Sequence, residues 1–260
     1  MNYEKRIIAF IDLLGFKDLV ANADCDRIKM ALDILRDFTS DETDFGGKVI
    51  KTTKTREITQ FSDSIVLSAA YNENSAVFDT IYDLQLTVSQ LLHHGFLCRG
   101  GVTVGELVHT NQYLYGQAMV DAYLLESTKA KYPRIIVDDR LIRIAETFHA
   151  KHHNSEQERD FVNEILSKDE DGCYYIDYFA KVQSELESPN HALQYLTHIE
   201  NAVQTLGDPI LKAKRDWLVN KYNGLLNELK NTKSPYLFLN GHASTDSHLQ
   251  EELNKKSPLV

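Results

Sequence analysis

The sequence predicts an α+β fold: a ferredoxin-like βαββαβ unit with extra strands over residues 1–150, followed by a helical-hairpin extension. Three observations carry this. Strand, helix, hairpin, helix and strand signals follow one another in the order of a split βαβ unit. Apolar residues recur at spacings of three and four in the segments between the strands. The chain has 260 residues, which suits one catalytic-sized domain plus an addition better than two equal domains.

Arg6–Ile11 is rich in β-branched and aromatic residues and ends at Asp12, after which Gly15 suits a tight turn, so strand then turn is expected. From Asp24, a plausible N-cap, Ile28, Ala31, Leu32, Leu35 and Phe38 share one helix face. Residues 41–55 are polar, contain Gly46 and Gly47, and read as a mobile loop. Arg56–Phe61 and Ile65–Leu67 read as a β-hairpin with Asp63 at its tip. A long helix over residues 75–94 presents Val77, Ile81, Leu84, Val88, Leu91 and Leu92 on one face and stops at Gly95. FLCRGGVTVGELVHT reads as a strand with paired glycines, YGQAMVDAYLLES as a helix burying Ala118, Ala122 and Leu125, and PRIIVDD as a strand.

Beyond residue 150 the composition shifts. HAKHHNSEQERD is polar and CYYIDYF reads as one more strand. Two amphipathic helices follow, one through Leu193, Leu196, Ile199, Val203 and Leu206, the other through Leu211, Leu218, Tyr222, Leu225 and Leu229. Gly207–Pro209 separates them, as in an antiparallel helical hairpin. Residues 151–240 are therefore assigned to a strand-plus-hairpin extension and residues 241–260 to a disordered tail.

The formal net charge is −10, from 28 basic and 38 acidic residues. That balance argues against nucleic acid or a membrane surface as partner, because both want a basic face. Cys25, Cys98 and Cys173 are widely spaced and form no CxxC pair, which indicates neither a disulfide framework nor a zinc site. The N-terminus does not read as a signal peptide, and no apolar run reaches the ~18 residues of a membrane span. A cytoplasmic location is expected.

Asp12 and Asp63 lead the chemistry, because each follows or interrupts an apolar strand where a carboxylate is costly without a partner. If their strands are neighbours, the two carboxylates converge at one edge and, with a backbone carbonyl, suit Mg²⁺ or Mn²⁺. The alternative is that each caps a turn. The pairs His93–His94 and His152–His153 do not share a helix face and argue against a four-histidine site. Trp217, Tyr174, Tyr175 and Tyr178 read as packing residues.

FIDLLGF, FSDSIVL, CRGGVTVGELV and YGQAMVDAYLLES resemble, in order and spacing, the class III nucleotidyl cyclase domain over about residues 5–140. AFIDLLGF, RGGV, GQAMVDAYLLES and the C-terminal helices look most like the bacterial pyrimidine cyclases of Pycsar antiphage defence. The resemblance implies that Asp12, Asp63 and the Leu13 carbonyl hold the divalent metal. Gly15, Phe16 and Lys17 then cradle the triphosphate, and Arg99 contacts phosphate. Plainer readings stand beside these: Lys17 is solvated, and Arg99 pairs with an acidic neighbour such as Glu106.

The sequence departs from the family in two places. The Lys and Asp with which adenylyl cyclases read their base correspond to Thr59 and Tyr113, which fit a pyrimidine better. The late-helix Asn and Arg correspond to Val120 and Leu124, so a transition-state cation is missing; Lys129, Lys131 or Arg134 could substitute, as could Arg99 itself. The resemblance implies a homodimer with active sites at its interface, UTP as substrate, and cyclic UMP and pyrophosphate as products. It also implies a separate effector that reads the cyclic nucleotide. Cyclic CMP synthesis, an inactive nucleotide-sensing module and a partner-docking role for the helical hairpin are the alternatives.

Overall fold

The computed structural model describes residues 2–22, 25–37, 42–45, 48–51, 55–181, 189–231 and 247–260. It begins with β1 (Glu4–Leu13), α1 (Phe16–Asn22), α2 (Cys25–Asp37) and a small separate hairpin, β2 (Glu42–Phe45) and β3 (Lys48–Lys51). Then come β4 (Glu57–Phe61), β5 (Ser64–Ala70), α3 (Ala76–His93), β6 (Cys98–His109), β7 (Leu114–Tyr115) and α4 (Gln117–Leu124). A π-turn at Leu125–Lys129 leads to β8 (Ile135–Val137), α5 (Arg140–Thr147), α6 (Ser155–Ile165), β9 (Leu166–Lys168) and β10 (Tyr174–Ile176). The chain closes with α7 (Pro189–Thr205), a 3₁₀ turn at Pro209–Leu211, α8 (Lys212–Asn231) and α9 (Ser247–Lys255).

The main sheet is mixed, in the order β4-β5-β1-β6-β8-β10-β9, with β7 paired to β6. Strands β4, β5, β1 and β6 run antiparallel to their neighbours, and β8 joins β6 in parallel. Because side chains alternate across a sheet, β1 divides its residues between two faces. Ile7, Ala9, Ile11 and Leu13 enter the large core with α2, α3 and the C-terminal helices. Ile8 and Phe10 join a smaller cluster with Val66, Leu107, Ala118 and Ala122 beneath α4. Asp12 falls on this second, thinly covered face.

Helix α4 comes close to the sheet because of Gly101. A Cβ there would stand 2.5 Å from Leu125 Cβ and 2.6 Å from the Ala122 carbonyl oxygen.

Several expectations are corrected. Within the stretch expected as a loop, 42–45 and 48–51 form β2 and β3, while Gly46 and Gly47 lie outside the described residues, as does the expected cap Asp24. The polar segment after residue 150 contains α6, started by a capping box: Asn154 Oδ1 accepts from Gln157 N–H at 2.9 Å, and Gln157 Oε1 accepts from Asn154 N–H at 3.0 Å. Of its three apolar residues Val162 and Ile165 are buried and Phe161 is half-buried; a strong cap and a narrow apolar stripe make a helix that composition conceals.

The tail expected to be disordered carries α9, with Leu253 fully buried in the core. Asn223 bonds both the N–H and the C=O of Leu259 (2.8 and 3.0 Å), and Lys256 pairs with Glu200 at 2.8 Å. A short polar segment orders itself when neighbouring helices supply the apolar surface that it lacks. Among the described residues no helix is long and apolar enough to cross a membrane.

Candidate functional site

The site is set by strand register. Asp12 lies opposite Ser64 on β5 and opposite Arg99 on β6. Antiparallel partners share a face, so all three side chains lie on the face that carries α4. Ser64 Oγ donates to Asp12 Oδ1 at 3.0 Å, and Arg99 Nε stands 3.7 Å from Asp12 Oδ2. The β4–β5 turn consists of Ser62 and Asp63, and Ser62 takes φ 53°, the handedness that a two-residue hairpin requires. Leu13 N–H donates to the Asp63 carbonyl at 3.2 Å, which ties the hairpin tip to the end of β1. The two candidate metal carboxylates thereby share one edge, as expected if their strands are neighbours.

Burial pushes the Asp12 carboxyl upward and the Asp63 charge pushes it further, against the opposing pull of Ser64 and Arg99. Two carboxylates that repel each other at the end of an apolar strand are a hard-oxygen donor set that a divalent cation would relieve. Among the described residues no group of three or more His, Cys, Asp or Glu side chains converges as a metal cluster. His93 packs on His94 and His198 through ring contacts.

Arg99 has a second acidic partner that the sequence did not single out. Glu126, only 2% exposed, sits in the π-turn after α4 and makes an ion pair through Oε1 with Arg99 Nε, although neither atom has hydrogen-bond geometry. The acidic neighbour of Arg99 is thus Glu126 and not Glu106. Burial raises the Glu126 carboxyl, and the Arg99 charge opposes the rise. Lys214, at the start of α8, shares this field: burial and Arg99 lower its ammonium, and Glu126 opposes them. The C-terminal extension therefore adds a cation to the site, and no sequence motif pointed to it.

Gly15 adopts φ 74° between β1 and α1, and its carbonyl accepts from Asp18 N–H and Leu19 N–H at 3.0 Å each. Phe16 packs partly against the core, and Lys17 is exposed at the second position of α1. Thr59 faces the same side of the sheet as Asp12, and its Oγ1 lies 2.9 Å from His109 Nε2. Tyr113 is exposed in the turn after β6, where its N–H bonds Thr110 Oγ1 at 3.1 Å. Val120 and Leu124 are 50% and 46% exposed on α4.

One proposed replacement cation is corrected. Arg134 is fully buried and committed to Asp169 at 2.5 Å and to Asp171, so it serves the packing of the extension. Trp217, Tyr175 and Tyr178 are buried packing residues, as expected; Trp217 stacks on Tyr132 and donates its indole N–H to Asp169 at 2.7 Å.

No protein-family model matches the sequence, and no curated protein matches it. Among solved structures, the chain is similar to the adenylyl cyclase CyaB from P. aeruginosa, with a TM-score of 0.45 and 11% identity over 67% of this chain and 94% of that one. It is similar to a bacterial light-regulated adenylyl cyclase, with a TM-score of 0.39 and 16% identity over 54% of this chain and 79% of that one. A third likeness is to the catalytic core of a rhodopsin-guanylyl cyclase with converted specificity, in complex with ATPαS: TM-score 0.40, 12% identity, 56% of this chain and 83% of that one. Likenesses this distant leave the chemistry of the site to be argued from its own residues.

Proposed function

We propose that this chain is a pyrimidine nucleotide cyclase that converts UTP to cyclic UMP and pyrophosphate, a second messenger of antiphage defence read by a separate effector. The observation that carries the reading is the meeting of Asp12 and Asp63 beside Arg99 on an open sheet face. Asp12, Asp63 and the Leu13 carbonyl would hold Mn²⁺ or Mg²⁺. Such an ion offsets triphosphate charge and favours ionisation of a nearby hydroxyl. The 3′-oxygen forms a bond to the α-phosphorus while the bond from that phosphorus to the bridging oxygen breaks. The hydroxyl proton passes to solvent water, and pyrophosphate departs with the electrons of the broken bond.

Arg99 would turn from Glu126 and Asp12 towards phosphate, and the Gly15–Lys17 turn would hold the outer phosphates. Lys214 supplies the positive charge that Val120 and Leu124 do not. Thr59 and Tyr113 would meet the base. Exposed Phe61, Val120, Tyr123 and Leu124 supply an apolar surface for a homodimer, in which one protomer offers the carboxylates and the other the base-reading residues.

Purified protein is incubated with each of the four NTPs and Mn²⁺, and the products are resolved by mass. Cyclic UMP is expected, with Asp12→Ala and Asp63→Ala each reducing it to background. Cyclic CMP as the main product would move the activity to the sister base. Nucleotide binding by calorimetry without any cyclic product would favour a sensing module, the second reading, which the apolar exposed positions Val120 and Leu124 motivate.

A further inference from the structure

One buried carboxylate and two cations meet beside the metal edge. Glu126 is turned inward by the π-turn, whose backbone is fixed by its own bonds. Ala130 N–H donates to the Leu125 carbonyl at 2.9 Å, and the Ser127 and Thr128 hydroxyls donate to the Tyr123 and Leu124 carbonyls at 2.8 and 2.6 Å. Gly101 lets this turn lie close on β6, since a Cβ there would stand 3.2 Å from Glu126 N. A buried charge left without a partner is strongly destabilising, so Glu126 needs a cation beside it in every state of the site.

Arg99 fills that role imperfectly. Its Nε and Glu126 Oε1 form an ion pair, yet both atoms are buried and neither finds hydrogen-bond geometry. Arg99 is also shared with Asp12 Oδ2, 3.7 Å away. The second cation is Lys214. It lies on α8 in line with Leu218, Tyr222 and Leu225, all buried, whereas Lys212 and Ala213 beside it are exposed. Spacings of four, four and three put these four side chains on one helix face, so the lysine stem follows the packed face of α8. Half-buried, Lys214 makes no ion pair and no hydrogen bond among the described residues. Glu126 attracts its charge and Arg99 repels it. A cation from β6 and a cation from the C-terminal extension therefore compete for a single carboxylate.

We infer that Glu126 is a positioning residue that exchanges cations: when Arg99 turns to the triphosphate, Lys214 takes its place on Glu126, and the start of α8 closes on the π-turn. The inference rests on the cyclase reading of the same site and adds how the extension takes part. Departure of Arg99 removes the repulsion that holds Lys214 back, and the carboxylate left behind supplies the pull. The flexible stem and compact ammonium of a lysine suit the entering partner. Glu126 is never left unpaired, and the charge of Lys214 arrives beside the phosphates only after Arg99 has engaged them.

The test is hydrogen exchange of residues 209–217, read by mass spectrometry with and without UTP and Mn²⁺, beside UTP affinity by calorimetry. In the full-length wild type the nucleotide should slow exchange in this segment at least about threefold, the protection that one new ion pair gives a helix start. Lys214→Met and Glu126→Gln should each abolish that change, and Lys214→Arg should keep it. Lys212→Met, on the exposed side of the same turn, should respond as wild type does. Lys214→Met should weaken UTP about fivefold when Glu126 is present and less than about 1.5-fold in Glu126→Gln, the coupling of two groups in direct contact. If Glu126→Gln fails to fold, exchange in Lys214→Met decides alone. Protection and coupling without cyclic product would overturn the reaction and leave this inference standing. Cyclic product without protection of 209–217, or an equal effect of Lys214→Met in both backgrounds, would overturn the inference and leave the reaction standing. Failure to bind UTP would overturn both.

Discussion

His109 makes the stability of the protein depend on pH in a way that one substitution isolates. Its imidazole is pushed from 6.5 down to about 4 in the fold, so between those values the unfolded chain binds more protons than the native one. Stability conferred by the neutral ring is therefore complete above pH 6.5 and is lost as pH falls towards 4. Linkage across that shift gives a loss on the order of 2–3 kcal/mol between pH 7.5 and pH 4.5. The ring is almost wholly buried, so solvent screening removes little of this. Other groups act in the opposite sense: burial and Asp83 raise Asp79 to about 7, which favours the fold as pH falls. The difference between wild type and His109→Gln cancels such terms, because glutamine does not titrate. Urea unfolding of both proteins from pH 7.5 to pH 4.5 should show the variant gaining on the order of 2–3 kcal/mol relative to wild type over that range. Parallel stability curves would show that the native ring titrates as it does in the unfolded chain, and would refute the reasoning.

The remaining predictions concern packing around the site. Gly101→Ala should destabilise by about 1–3 kcal/mol, seen as a lower urea midpoint, because the added methyl meets a backbone carbonyl that cannot swing away. An unchanged midpoint would mean that α4 floats above the sheet. Arg134→Met should cost about 1.5–3 kcal/mol through the lost charge-assisted hydrogen bonds, again read by urea unfolding, because Asp169 keeps Trp217 and Lys221 as partners and Asp171 is partly exposed; an unchanged midpoint would mean that Arg134 does not hold the extension. Leu253→Ala should cost about 2–5 kcal/mol, because the side chain is fully buried; a loss below ~0.5 kcal/mol, the range of a typical surface substitution, would restore the disordered tail.

The parts of the fold with strong periodicity were legible in the sequence. The β1 strand, the β4–β5 hairpin, α3, β6 and the two helices α7 and α8 follow from alternating or three-and-four apolar spacing. The helix α6 was hidden because its cap, rather than its hydrophobicity, starts it. The helix α9 was hidden because the apolar surface that orders it belongs to other elements.

The same division holds at the site. Asp12, Asp63 and Arg99 could be read from strand-end positions and motif order. Glu126 could not, because a glutamate within YLLES looks exposed on a regular helix until the π-turn rotates it inward. Lys214 and the His109 hydrogen bonds depend on contacts 41 to 115 residues apart in sequence, such as Ser68 to His109 and Arg99 to Lys214, and local spacing carries no trace of them. The one retrospective signal is His109 itself, a titratable residue at the buried end of β6.

The central claim is that Asp12 and Asp63 support cyclisation of a uridine nucleotide. The most direct measurement is the mass-resolved product of UTP with Mn²⁺, wild type beside Asp12→Asn. Equal amounts of cyclic UMP and pyrophosphate from wild type, and neither from Asp12→Asn, is the predicted result. Intact UTP in both reactions, or equal turnover by the two proteins, would contradict the account.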